Sequence, residues 1–128
     1  MADMYPDDFY LTKRWEQMRL KILRRDRYEC QWSKRYKAVP DQAECVHHIF
    51  PIEYFPEYKW EPWNLISLSM QAHNRMHDRE THELTREGYE LLYRTARKQK
   101  IENVDELLMS RGIKVPRPVR NFLRGPLA

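Results

Sequence analysis

The stretch PIEYFPEYKWEPW, residues 51–63, carries prolines at 51, 56 and 62, and no other feature constrains the chain as strongly. Proline has no amide hydrogen and a fixed φ, so neither a helix interior nor a paired strand can run through such a segment. Its five aromatics, Tyr54, Phe55, Tyr58, Trp60 and Trp63, suit an ordered loop pinned by ring packing, a better reading than stacking on nucleic-acid bases. Short apolar, β-branched runs lie on either side: AECVHHIF, which should end at Pro51, and NLISLS. MQAHNRMHDRE then reads as the start of a helix, with His73 and His77 four residues apart on one face. The local order is strand, long loop, strand, helix.

On the N-terminal side, LTKRWEQMRLKILRRDRYEC reads as a helix with Trp15, Met18 and Ile22 at helical spacing. Lys13, Arg14, Arg19, Lys21, Arg24, Arg25 and Arg27 surround that stripe, equally suited to a solvated face or to phosphates. QWSKRYKAVPDQ is a polar loop. On the C-terminal side, LTREGYELLYRTARKQK reads as helical despite Gly88. NVDELLMSRG carries a capping pattern, with Asn103 as N-cap, Glu106 at the third position and Gly112 as terminator. The end, IKVPRPVRNFLRGPLA, is basic, broken by proline and free of acidic residues, which suggests an extended arm or a frayed terminus.

At 128 residues the chain fits a single domain with appendages. Lys and Arg outnumber Asp and Glu by 23 to 19, a net charge of +4 and a mild bias toward polyanions. Two cysteines, Cys30 and Cys45, are too few for a disulfide framework and fit a reducing compartment. No apolar run is long enough for a bilayer, and MADMYPDDFY lacks the pattern of a signal peptide, so a soluble intracellular protein is expected.

Four of the five histidines fall in the strand-to-helix segment: the doublet His47 and His48, then His73 and His77, with Asn64 opening the second strand. Taken alone, the helical pair suits a solvated polar helix better than a metal. Together, three neutral imidazoles can hold a divalent transition metal with positions left open, while a fourth acts as general base on water. Adjacent strand residues point to opposite faces, so the strand must end or twist at the doublet. His82, five residues after His77, is off that row and reads as a surface histidine.

VHHIFP, NLISL and AHNRMH, in that order, resemble the three parts of the ββα-metal site of the HNH endonucleases. The doublet and the two helical histidines are similar to those of the nuclease colicins, and the basic lead-in helix resembles that of phage and bacterial members. The resemblance implies an α+β fold: a ββα-metal core at residues 27–78, a basic helix at 11–27 and a helical C-terminal extension at 83–128, all within one domain. It implies an endonuclease acting on DNA, with His48 as general base, His47, His73 and His77 as ligands, and Asn64 holding the loop and orienting His48. It further implies one divalent ion (Mn, Ni, Co, Zn or Mg). Arg75 and Arg79 flank the helical histidines and are candidates for phosphate contact, though a helix this polar more simply shows its wet face. Kinship with phage members implies a phage-encoded protein in the cytoplasm of a bacterial host, working beside a DNA-packaging terminase. Many members also carry a structural zinc on two Cys-x-x-Cys pairs; here those places read CQWS and SMQA, leaving Cys30 with Ser33, Ser69 and Ala72, so no structural zinc is expected. Cys45 reads as a small buried strand residue. The competing reading is a DNA-binding module whose histidines hold metal only to stabilise the fold; it would have no use for His48.

Overall fold

The computed structural model describes residues 7–124, and the chain divides into two compact units, Met1–Asn74 and Arg75–Ala128. The first six residues and the last four, where the basic tail ends, lie outside the described residues. No helix among the described residues is long and apolar enough to cross a membrane.

In the first unit, helix α1 spans Lys13–Arg25. It starts where the Thr12 hydroxyl accepts the Trp15 amide at 3.2 Å, which satisfies one of the amides a helix leaves open at its N-terminus. It stops where Arg27 and Tyr28 take a left-handed φ of 57° and return their amides to the carbonyls of Arg24 and Leu23 at 3.0 and 2.8 Å. Strands β1 (Cys45–His48) and β2 (Leu65–Leu68) pair antiparallel, with Cys45 opposite Leu68, His47 opposite Ile66 and His48 opposite Leu65. A short helix, α2 (Met70–Asn74), follows at once. Both helices contact the hairpin, making the α+β fold expected from the sequence. Trp15, Ile22 and Leu65 form its core, with Phe9, Met18, Val46 and Trp60 packed against them.

The proline-rich connection is a ring-packed loop. Phe50 meets Phe55, Tyr58 and Trp63 edge-on at centroid distances of 5.0, 5.4 and 6.0 Å, while Phe55 and Tyr58 stack at 5.7 Å. Two short 3-10 turns, Pro56–Tyr58 and Pro62–Asn64, each begin on proline, whose missing amide hydrogen is not needed at a helical start.

The second unit contains α3 (Arg86–Lys98), α4 (Val104–Ser110) and α5 (Arg117–Arg124). Thr85 caps α3 by accepting the Gly88 amide at 3.2 Å. Gly88 is required by a close approach: a Cβ there would sit 2.5 Å from the Met76 carbonyl oxygen and 2.8 Å from Leu84 Cδ2. Gly112, at φ 87°, closes α4 as expected, with Ile113 and Gly112 amides returning to Leu108 and Met109 carbonyls at 2.9 and 3.0 Å.

Three expectations need correction. The helix read over MQAHNRMHDRE ends at Asn74, before His77. Local bonds explain this: the Arg75 carbonyl accepts the Thr85 hydroxyl, the Met76 carbonyl accepts the Thr85 amide at 2.9 Å, and the Asp78 backbone amide donates to the Glu83 carbonyl at 2.7 Å. These residues form a turn closed by a bridge between His77 and Leu84 instead of continuing a helix. The supposed extended arm is helical over Arg117–Arg124, because Pro118 falls in the first turn, where no amide hydrogen is needed. Its Phe122 ring lies 3.5 Å beneath the Arg86 guanidinium of α3. Asn103 does occupy the N-cap of α4, but in a left-handed conformation (φ 54°, ψ 48°) with no side-chain capping bond.

Candidate active site

The doublet keeps strand alternation and ends β1, so its two rings serve opposite faces of the hairpin. His47 faces α2, its ring edge-to-face with that of His73 at 5.4 Å between centroids. His48 faces α1, stacked on Trp15 at 5.1 Å with the planes 22° apart. Phe9 and Tyr10, each 6.2 Å away, complete an aromatic cage that leaves His48 7% exposed.

Inside the cage, His48 Nε2 lies 3.2 Å from the Lys59 carbonyl. A carbonyl only accepts, so Nε2 carries the proton and the lone pair is on Nδ1. Burial disfavours the imidazolium and the Lys59 carbonyl favours it; burial wins, pulling the pKa from 6.5 to about 4. At neutral pH the ring is therefore neutral and able to accept a proton.

Asn64 is fully buried and ties the ends of the loop together. Its Oδ1 accepts the Phe50 amide at 2.7 Å, and its Nδ2 donates to the carbonyls of Phe50 at 3.2 Å and Tyr58 at 3.3 Å. Its own carbonyl accepts the Ile49 amide at 2.9 Å. Tyr58, held by Asn64, immediately precedes Lys59, which holds His48.

His47 is 2% exposed and its Nε2 is buried. With metal–nitrogen bonds of about 2.1 Å, two imidazoles at a tetrahedral angle around one ion set their ring centroids about 5 Å apart. The 5.4 Å between the His47 and His73 ring centroids is close to that separation. Among the described residues no three His, Cys, Asp or Glu side chains converge as a ligand group. His77 lies in the second unit, its Nδ1 at 3.2 Å from the His82 carbonyl, which puts the proton on Nδ1 and the lone pair on Nε2. Arg75 and Arg79 are exposed residues of the same unit, on either side of His77 in sequence.

The remnants of the Cys-x-x-Cys pattern are drawn together by hydrogen bonds. Burial pushes the Cys30 thiol up, but bonds from the backbone and hydroxyls of Ser69 and Ser33 outweigh it and leave the thiol below its ordinary value. The Ser33 hydroxyl also accepts the Asp41 amide at 2.9 Å, and the Ser69 hydroxyl accepts the Ala72 amide at 3.1 Å. Cys45 is pushed up to about 11, by burial and then by Glu44.

Sequence reasoning missed Phe9, Tyr10 and the Lys59 carbonyl as surroundings of His48, and it treated Trp15 only as core. Trp15 and Phe9 could have been suspected from aromatics leading into an amphipathic helix; a backbone carbonyl leaves no mark in sequence.

No protein-family model matches the chain, and no curated protein is detectably similar to it. Among solved structures, the chain is similar to the HNH endonuclease of the deep-sea thermophilic bacteriophage GVE2, crystallised with manganese ion. The two are 33% identical, the match covers 57% of this chain and 78% of the phage protein, and the TM-score is 0.53.

Proposed function

Since the chain belongs to the HNH endonuclease family, we propose that it is a nuclease that hydrolyses DNA phosphodiester bonds with a divalent metal and a histidine base. The observation that carries this reading is the pair of environments given to adjacent histidines: His48 caged and neutral with its lone pair on Nδ1, His47 set against His73 at a separation that suits a shared ion. A DNA-binding module with a structural metal would need only the second. The manganese of the phage relative supports a divalent ion here as well.

His48 Nδ1 takes a proton from water as that water attacks phosphorus, and the phosphorus–oxygen bond opposite breaks. Trp15 and the Lys59 carbonyl fix the ring, so no reorientation is required during proton transfer. Asn64 acts one step removed, by fixing the backbone that presents Lys59. His47 and His73 would hold the ion. When bound, the ion supplies positive charge where negative charge gathers on the phosphate and leaving oxygens. Arg75 and Arg79 are the candidates for phosphate contact.

The test is cleavage of supercoiled plasmid by metal-stripped protein, with magnesium, manganese, nickel and zinc restored singly, beside His48→Ala and His73→Ala. Metal-dependent nicking or linearisation is expected, lost in His48→Ala while calorimetric manganese affinity is nearly retained, whereas His73→Ala loses both. Cleavage by His48→Ala at a similar rate would show the base to be misassigned; plasmid bound but uncut under every metal would favour the non-catalytic module.

A further inference from the structure

Helix α1 carries a feature that the cleavage chemistry does not use. At 100° per residue, Lys13, Arg14, Gln17, Lys21, Arg24 and Arg25 fall within one arc of about 120°. All six are exposed, and the arc holds five cations, one glutamine and no carboxylate. The nearest acidic residue on the helix, Glu16, lies off the arc and is paired with Arg19 at 3.6 Å. Like charges along one row repel weakly, and a face of a single sign is complementary to a polyanion.

The five cations divide into two groups. Arg14 lies 4.0 Å over the Trp60 ring, and Arg25 donates to the carbonyls of Pro62 at 2.8 Å and Leu65 at 2.7 Å while pairing with Asp26. These two fasten the helix to the loop and to β2. Among the described residues, Lys13, Lys21 and Arg24 make no ion pair. Lys13 and Arg24 lie eleven residue steps apart, roughly 16 Å of helix at 1.5 Å per residue. Duplex DNA carries a phosphate about every 3.4 Å of axis on each strand, so the row can run beside several phosphates. The row is rigidly referenced to His48, because Trp15, next to Arg14, is stacked on its ring.

We propose that α1 is a rail for the DNA backbone, with Lys13, Lys21 and Arg24 binding phosphates of duplex DNA away from the cleaved linkage and independently of base sequence. The direction in which the rail leads, toward His48, rests on the nuclease reading; the binding itself does not.

The test measures affinity of the full chain for a 30-base-pair duplex in chelator, where metal-assisted cutting cannot occur, as salt is raised from 50 to 200 mM. Removing three phosphate contacts should lower the steepness of log affinity against log salt by roughly 2.7, so K13Q/K21Q/R24Q should bind with a visibly flatter dependence, equally on unrelated sequences. Circular dichroism confirms that the exposed substitutions leave the helix intact. A change in slope below about one, or an equal change in the control R97Q/K98Q/K100Q, would overturn the proposal. A flattened slope in a protein that cuts no plasmid would uphold the rail and defeat the nuclease; cleavage with an unchanged slope would do the reverse.

Discussion

Replacing Asn64 with alanine tests how the loop is held. The substitution deletes three hydrogen bonds, from the Phe50 amide and to the Phe50 and Tyr58 carbonyls, at a fully buried position. At about 1 kcal/mol net for each bond, plus roughly 1 kcal/mol for a buried amide left unsatisfied, the loss is about 4 kcal/mol. For a chain of this size that corresponds to a fall in Tm of about 10–20 °C. Asn64→Asp keeps an acceptor for the Phe50 amide but turns an oxygen toward two carbonyls, so it should be no better than alanine while ionised. Thermal unfolding followed by tryptophan fluorescence reads the effect. Plasmid cleavage well below the new Tm should also fall, because the backbone at Tyr58 that precedes the carbonyl on His48 is loosened. A drop in Tm under about 4 °C would refute the reasoning and show that the rings around Phe50 hold the loop without the amide.

Gly88→Ala should destabilise the second unit by about 2 kcal/mol, since the new Cβ collides with the Met76 carbonyl and Leu84; an unchanged urea midpoint would mean that the turn yields. Cys45, with its pKa raised to about 11, stays a thiol in the folded chain. Its contribution to stability is full below the ordinary thiol pKa near 8.5 and is lost as pH rises from there through about 11, so Tm should decline over that window less steeply in Cys45→Ala. Rapid single alkylation by iodoacetamide at pH 8 in native buffer would contradict this, because Cys30, the other thiol, is fully buried.

Where sequence succeeded, the signal was local. Short apolar, β-branched runs and proline placed both strands and the loop, the spacing of Trp15 and Ile22 placed α1, and the asparagine beside β2 does bind backbone across the connection. Where it failed, the determining partner was elsewhere. The stretch after Asn74 has helical character, yet Thr85 and Glu83 take its backbone groups into a turn. Pro118 signals a break in a list of residues and a helix start in three dimensions, depending only on which turn it enters. The cage around His48 is built partly from Phe9 and Tyr10, which precede α1 and show no periodicity of their own.

The pairing of His47 with Ile66 and His48 with Leu65 has a consequence for how the loop can vary. A slip of one residue would exchange the faces of the two imidazoles, sending His48 toward α2 and His47 into the aromatic cage. Strand register is thus also an allocation of tasks between neighbours that are chemically identical. Loop lengthening between Pro51 and Trp63 should be tolerated only while the clasp from Asn64 to Ile49 and Phe50 fixes that allocation, whatever the length of chain it encloses.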